Sequence, residues 1–84
     1  AQGVALDTAG NVYLADSYRH QVMVFEELSN NTWSALGILG GKGAAPGQLL
    51  LPTGVMTDPA TSRIYVAATM LNRIEVFTLG DLVQ

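Results

Sequence analysis

Three residue types that together build nucleophilic catalytic sites lie side by side near the start of the chain. Asp16, Ser17 and His20 match the acid, nucleophile and base of a hydrolase triad, and they fall within five positions. A triad needs side chains that converge on a pocket from separate elements. We therefore interpret the three as members of one turn, where a carboxylate at a strand end accepts hydrogen bonds from turn amides. No catalytic residue is predicted.

Carboxylates that could hold a metal ion are present but dispersed. Glu26 and Glu27 are adjacent, so in a strand their side chains point to opposite faces. Asp7 and Asp58 are far apart in the chain, and no cysteine is present to join a carboxylate or His20 in a ligand cluster. We therefore predict no metal site and no other cofactor, and the lack of cysteines excludes disulfides.

The glycine-rich run at residues 40–43 is similar in part to a phosphate-binding loop, with Lys42 in the place of the motif's lysine. That motif needs a glycine five positions before Gly41, where this chain has Leu36, and a serine or threonine after the lysine, where it has Gly43. The run is therefore predicted to be a flexible connector.

The charge balance excludes two classes of partner. The 84 residues carry a net charge of −3 with only four lysines and arginines, whereas nucleic-acid binding relies on cations that neutralise phosphates. An anionic membrane surface is disfavoured for the same reason, and the longest apolar run, residues 64–68, is far shorter than the roughly 18 residues of a spanning helix. Charged residues make up 13% of the chain, about half the usual share, which indicates that neighbouring structure covers much of the surface.

One segment of the sequence occurs twice, at residues 3–25 and again at residues 54–77. Gly3 aligns with Gly54 at an offset of 51, and after a one-residue insertion Tyr13 aligns with Tyr65 at an offset of 52. A period of about 50 residues is typical of propellers and other repeat arrays. We therefore predict a first unit at residues 1–53, including the loop to the next, and a second at residues 54–84, whose outer strand is missing or incomplete.

Both copies consist of short apolar runs bounded by Gly, Pro, Asn and Ser, which is the pattern of β-strands, and no amphipathic helix is indicated. Apolar residues occupy both faces of the runs, which predicts sheets buried between two other layers. Short connections predict antiparallel meanders. Residues 26–31 are predicted as a polar turn and residues 37–47 as a loop. The predicted strands are residues 3–7, 12–16, 21–25 and 32–36 in the first copy, and 54–58, 64–67 and 73–77 in the second.

Four-stranded antiparallel units at this period are the pattern of β-propeller blades. A more specific pattern is carried by Leu14-Ala15-Asp16-Ser17, His20, Val22, Val24, Phe25, Pro46-Gly47-Gln48-Leu49 and Leu51-Pro52-Thr53-Gly54-Val55. These residues resemble the NHL repeat family. The resemblance implies an all-β fold of antiparallel four-stranded blades, about six in a complete propeller, in which Asp16 and His20 stabilise a turn. The second copy departs from the pattern, with Ala68 in place of the aspartate and Asn72 in place of the histidine.

Two blades cannot close a ring, and about three repeats is the usual minimum for stability. The chain also begins at Ala1 rather than at a methionine, which predicts a processed or truncated chain. The expected partners are therefore the remaining blades of a longer propeller or copies of the chain itself, and a trimer would supply six blades. The compartment is not determined by the sequence; the family's extracytoplasmic members favour a periplasmic or secreted location.

In an antiparallel meander, the loops after the second and fourth strands lie at one end of the sheet. The turns at 17–21 and 69–72 and the long loop at 37–53 are therefore predicted to share one face, on which three of the chain's four cations lie. Loops on a rigid scaffold commonly carry binding sites, although ordinary solvated turns explain any single residue equally well. The predicted ligand face comprises Tyr18, Arg19, His20, Lys42, Met70, Leu71, Asn72 and Arg73.

Three functions fit these observations. The preferred hypothesis is a non-enzymatic propeller segment that acts as an interaction scaffold and binds a protein or another ligand at this face. The resemblance also leaves open a fragment of a propeller lyase or hydrolase whose active residues lie in other blades. The third hypothesis is a self-assembling structural unit, because an unpaired sheet edge invites the addition of another strand.

Overall fold

Two antiparallel sheets make up the chain in the computed structural model, which describes residues 3–29 and 31–84. Strand order is β1-β2-β3-β4 in the first sheet and β5-β6-β7 in the second, so each sheet is a meander of sequence neighbours, as predicted. The strands are β1 Gly3–Leu6, β2 Asn11–Asp16, β3 Gln21–Ser29, β4 Thr32–Gly40, β5 Gly54–Asp58, β6 Arg63–Ala68 and β7 Arg73–Phe77.

Helical structure in the described part of the chain is limited to two 3₁₀ helices of three residues each, Thr69–Leu71 and Leu79–Asp81. Thr78 and Asp81 cap the second one reciprocally, each side chain accepting the other residue's backbone N–H. Neither helix is long or apolar enough to cross a membrane.

The turns between strands are closed by residues in the left-handed backbone region. Gly10, with φ of +89°, closes the turn after β1, and Ser62, with φ of +59°, ends the glycine-free turn after β5. His20 and Asn72 each have φ of +55° at equivalent positions of the two copies. Asn and His enter this region more readily than most residues. The sequence repeat is therefore also a repeat of backbone conformation.

The core lies between the two sheets, which pack against each other through one side of each. Successive side chains of a strand point to opposite faces, so in β2 Tyr13 and Ala15 are buried while Val12 and Leu14 are only partly so. Removal of this apolar surface from water is the main favourable term for the contact. The buried cluster consists of Tyr13, Val22, Val24, Leu39, Leu49, Ile64, Val66, Ala68 and Phe77.

The other side of each sheet is apolar and largely open to solvent. Val4 and Leu6 of β1 are each 64% exposed, and Met56 of β5 is 62% exposed. The strands are apolar on both faces, as predicted, but in the described part of the chain only one face of each sheet is buried. The register of the strands defines two outward faces. The first outward face comprises Val4, Leu6, Val12, Leu14, Met23 and Phe25, and the second comprises Met56, Tyr65, Ala67, Ile74 and Val76.

Strands β3 and β4 are longer than the sequence predicted. Residues 26–29, predicted as a polar turn, continue β3, and residues 37–40, predicted as loop, continue β4. The extension pairs Glu26 with Ser34 and Glu27 with Trp33. Backbone pairing needs no apolar side chain, so polar and glycine residues extend a strand without leaving an apolar pattern in the sequence. Asn30, also part of the predicted turn, lies outside the described residues.

The end of the chain returns to the first sheet. Val83 and Ile38 exchange both backbone hydrogen bonds, each 2.9 Å long, so Val83 pairs with β4. Gly37 permits this close approach, because a Cβ atom there would lie 2.7 Å from the Val83 carbonyl oxygen. In the described residues the second sheet therefore has three strands, and the last segment of the chain covers the edge of the first.

Candidate binding face

The turn at residues 17–20, the connector at residues 41–53 and the 3₁₀ helix Thr69–Leu71 meet at one end of the sheets. Ser17 donates a buried hydrogen bond from Oγ to the carbonyl oxygen of Pro52, at 2.7 Å. The hydroxyl oxygens of Thr53 and Thr69 are 2.8 Å apart. These contacts hold the three predicted loops together at one face, and the ligand-binding role of that face stays a prediction.

His20 fixes the connector to the first sheet. Its left-handed backbone closes the turn, with its N–H donating to the carbonyl oxygen of Ser17 at 3.3 Å. Its Nδ1 atom accepts the backbone N–H of Leu51 at 3.0 Å. Leu51 has φ of +49°, so this bond supports a backbone conformation that a leucine rarely adopts. His20 therefore acts here as a structural acceptor between two loops.

Asp16 and Arg19 interact within the same turn. The Asp16 carboxylate accepts the Arg19 backbone N–H at 3.3 Å, and its Oδ2 lies 3.9 Å from Arg19 Nε. The Arg19 side chain nevertheless remains 73% exposed, and an exposed pair of this kind contributes little to stability. Asp16, Ser17 and His20 thus have separate partners: Asp16 bonds to Arg19, Ser17 to Pro52 and His20 to Leu51. No side-chain hydrogen bond joins these three residues to one another in the part of the chain that the structure describes.

Arg73 and Glu75 of β7 clamp the connector to the second sheet. Arg73 donates from Nη2 to the carbonyl oxygens of Ala44 and Ala45, at 2.9 and 3.0 Å. Glu75 accepts the Gly47 backbone N–H at 2.9 Å and forms an ion pair with Arg73 Nε. The charge of Arg73, predicted to face a ligand, is therefore already satisfied inside the protein.

The remaining predicted residues divide by exposure. Tyr18 is 85% exposed and Met70 is 60% exposed, so both large side chains project into solvent. Lys42 and Asn72 are exposed as well, whereas Leu71 is half-buried and packs against the core. The face therefore presents an aromatic ring, a thioether and two cations, Arg19 and Lys42, on loops whose backbones are fixed by the bonds above.

A hydrogen-bond network that sequence analysis missed lies at the opposite end of the sheets. Asp7 Oδ1 accepts the backbone N–H groups of Ala9 and Asn11, both at 2.9 Å. Asp7 Oδ2 accepts Asn11 Nδ2 at 2.9 Å and the Tyr13 hydroxyl at 2.7 Å. The sequence indicated that Asp7 could bond turn amides, but the Tyr13 hydroxyl reaches Asp7 only because β2 pairs back along β1.

The network shifts the pKa values of both ionisable partners. Burial by itself would raise the pKa of Asp7, but the hydrogen bonds from Tyr13, Asn11 and Ala9 outweigh it and lower the pKa below its ordinary value of 3.8. Burial, then the bond to Asp7 and its negative charge, raises the pKa of Tyr13 well above its ordinary value of 10.0. At neutral pH the pair is thus a carboxylate bonded to a neutral phenol.

A cavity of about 130 Å³ lies beside this network, between the turns of the two sheets. Asp7, Tyr13 and Thr57 line it together with Asp58 and Arg63. Within residues 3–29 and 31–84, no group of three or more His, Cys, Asp and Glu side chains is arranged to hold a metal ion. Apolar side chains, Ile64 and Leu79 among them, line the same cavity, so its wall is mixed and carries the carboxylates of Asp7 and Asp58.

The two meander sheets, stacked through one apolar face, define a β-propeller-type repeat protein with antiparallel blades, which confirms the predicted fold class. The family model of the NHL repeat matches residues 1–25. Residues 1–25 therefore match the NHL repeat, in line with the resemblance seen in the sequence, and repeats of this type are commonly used for protein interaction. No curated protein was found to match the chain.

Proposed function

We propose that the chain is a non-enzymatic interaction scaffold that binds a protein segment at the loop face described above. The observation that supports this is the contrast within the face: His20, Ser17 and Arg73 lock the loops, while Tyr18 and Met70 project from them unused. A preorganised backbone lowers the entropy lost when a partner binds. The hydrogen-bonded loops thus provide the rigid support, and the exposed side chains provide the contacts with the partner.

The chemistry of the exposed side chains favours a peptide or protein ligand. Tyrosine and arginine are the residue types that most often dominate the binding energy of protein interfaces, and methionine adapts to irregular apolar surfaces. Arg19 and Lys42 give the face local positive charge on a chain whose net charge is −3. An extended ligand segment with apolar and acidic side chains would complement this surface.

A phage-displayed library of random peptides is the probe for this proposal, panned against the immobilised chain. The test variant is Tyr18→Ala with Arg19→Ala. The matched control is Leu79→Ala with Arg63→Ala, which removes one exposed large side chain and one exposed cation at the other end of the sheets. Selected peptides should bind the test variant at least about tenfold more weakly, as expected for interface anchors, and bind the control like the wild type.

Two results would contradict the proposal. Peptides that bind the test variant and the wild type equally would place their site elsewhere. An equal loss in the test and control variants would indicate nonspecific adsorption. Arg73 is deliberately left unchanged, because its bonds to Ala44 and Ala45 hold the loop and its loss would alter the scaffold as well as any contact.

A further inference from the structure

The interface between the two sheets shows how the two outward faces are related. Tyr13 is buried against the second sheet, and its equivalent Tyr65, 52 residues later, lies on the second outward face. Val22 and Val24 are likewise buried, and their equivalents Ile74 and Val76 are 59% and 51% exposed. The second outward face therefore repeats the surface that the first sheet buries.

The reverse relation holds on the other side. Ile64, Val66 and Phe77 of the second sheet are buried against the first sheet. Their equivalents Val12, Leu14 and Phe25 lie on the first outward face and are partly open to solvent. The first outward face thus repeats the surface that the second sheet buries. The two outward faces therefore correspond to the two surfaces that pack against each other in the core.

We propose that the second outward face of one copy of this chain docks on the first outward face of another copy, and that the contact repeats the interface between the two sheets. Tyr65, Ile74 and Val76 of one copy would pack on Val12, Leu14 and Phe25 of the next. Docking would remove the apolar side chains of both faces from contact with water, and this burial is the usual driving force for association. Exposed apolar patches of this kind mark interaction surfaces in soluble proteins.

Three differences between equivalent positions make the first outward face more apolar than its buried equivalent, and one adds a charge, because Asp16 stands where the second sheet has the buried Ala68. Glu75, which clamps the connector, is replaced at the equivalent position by Met23, and Arg73 by Gln21. Thr57, whose hydroxyl donates to the Leu6 carbonyl oxygen at 2.6 Å across the sheets, is replaced by Leu6 itself. No charge is therefore buried at Leu6, Gln21 or Met23 when a second copy docks. An uncompensated buried charge would be costly, but the Asp16 carboxylate has Arg19 as its partner.

The proposed contact is heterologous, because the two surfaces that meet are different. Such contacts generate a closed ring when the rotation between copies closes, and an open fibre otherwise. Each copy contributes two sheets, so a ring with the six blades expected from the family resemblance contains three copies. This inference does not depend on the loop face, since the two outward faces lie on the flat sides of the sheets.

The test is the solution mass of the 84-residue chain, measured by light scattering over a range of concentrations. Leu6→Glu places a charge on the first outward face, and Ile74→Glu places one on the second, both at exposed positions. The wild type should reach a multiple of 8.9 kDa, and each variant alone should be a monomer. Mixing the two variants should give a 1:1 dimer, because one intact pair of complementary faces remains.

Several outcomes would overturn the proposal. A wild type that stays monomeric up to about 1 mM would assign the outward faces to another occupant, such as sheets of a different chain. A mixture that fails to associate, or a single variant that still forms dimers, would exclude a head-to-tail contact. Circular dichroism checks that each variant keeps its sheets, and Val4→Glu and Met56→Glu are the replacements if either variant unfolds.

Discussion

Tyr13 and Tyr65 occupy the same position of the repeat but different environments. Tyr13 is 1% exposed and donates its hydroxyl to Asp7 at 2.7 Å. Tyr65 is half-buried on the second outward face. The difference does not arise within the repeat, since each tyrosine sits in the same register between neighbouring strands. It arises because the second sheet packs on the face that carries Tyr13, whereas no other sheet within residues 3–29 and 31–84 packs on the face that carries Tyr65.

This comparison separates two contributions to the fold. The repeat determines the order and register of the first three strands and the left-handed residue that closes each turn between them, which are the same in both copies. Burial depends on whether a neighbouring sheet is present. Equivalent substitutions in the two copies therefore measure what the neighbour adds, and the following predictions use such pairs.

The largest difference is expected for the tyrosine pair. Tyr13→Ala should lower the free energy of unfolding by about 3–5 kcal/mol, as for other buried aromatic truncations, because it opens a cavity and leaves Asp7 without one of its donors. Tyr65→Ala should cost about 1 kcal/mol in the monomer, since less apolar area is lost from the folded state. Urea denaturation at low protein concentration measures both.

The same pair sharpens the assembly proposal. If copies associate through the second outward face, the loss of stability caused by Tyr65→Ala should grow as the protein concentration rises. The difference between the losses caused by Tyr13→Ala and Tyr65→Ala should then become smaller. Equal costs for the two tyrosines in the monomer would contradict the comparison itself, because they would mean that the neighbouring sheet adds nothing at this position.

The second prediction compares Asp7 with Asp58, its equivalent in the second copy. Asp7 accepts hydrogen bonds from Tyr13 and Asn11, whereas the Asp58 carboxylate accepts from the Ala60 N–H at 3.0 Å and the Thr61 hydroxyl at 2.9 Å. Hydrogen bonds to charged groups contribute about 1.5–3 kcal/mol. Asp7→Asn should therefore cost about 2 kcal/mol at pH 7, and Asp58→Asn less. Urea denaturation of the two variants at this pH measures the difference.

The pH dependence follows from the lowered pKa of Asp7. A carboxylate whose pKa is depressed on folding contributes stability that is present above its ordinary value of 3.8 and is lost as the pH falls below it. Tyr13, whose pKa is raised, contributes stability that is present below 10.0 and is lost as the pH rises above it. Asp7→Asn should flatten the acid limb of a plot of stability against pH. An acid limb that is unchanged in Asp7→Asn would show that Asp7 does not cause the loss of stability at low pH.

Much of the fold could be predicted because strands and turns leave local patterns. Strands β5 and β7 begin and end where the alternation and the flanking turn residues place them. The added lengths of β3 and β4 could not be predicted, since Glu26 and Glu27 extend a strand by backbone pairing with Ser34 and Trp33, which leaves no alternation of apolar and polar residues. The polar residue types that end a strand are the same as those that form a turn, so the sequence alone does not distinguish the two.

The candidate face could be predicted only as a group of loops. Meander topology determines which loops lie at one end of a sheet. It does not determine which side chains at that end bond to the protein itself. His20 bonds to Leu51 and Arg73 bonds to Ala44 and Ala45 because the connector folds back over both sheets. Such partners lie 28 or more residues away and have no local signal.

The third prediction concerns this connector. Arg73→Ala removes both bonds to the 44–45 carbonyl groups, and should cost about 1 kcal/mol, since the ion pair with Glu75 is partly exposed. Hydrogen exchange of the Gly47 amide, which Glu75 holds, should accelerate. Arg63→Ala is the control, because Arg63 is an exposed cation at the opposite end. Unchanged exchange at Gly47 would show that the connector does not depend on the clamp.

The smallest difference is expected between His20→Ala and Asn72→Ala. Both residues have φ of +55°, and both donate their backbone N–H to the residue three positions earlier. Alanine tolerates this conformation less well than either residue, so that cost is shared by the two variants. Only His20 also accepts a hydrogen bond from another loop, the N–H of Leu51 at 3.0 Å.

His20→Ala should therefore be less stable than Asn72→Ala by about 0.5–1.5 kcal/mol, the contribution of one hydrogen bond. Urea denaturation measures this difference, and amide exchange at Leu51 assigns it to the lost bond. His20→Asn restores the preference for the left-handed region without restoring the imidazole acceptor, so it should fall between His20→Ala and the wild type. Equal stability of the two alanine variants would mean that water replaces His20 as the partner of Leu51. The connector would then be held by its other bonds, those to Ser17, Thr69, Arg73 and Glu75 among them.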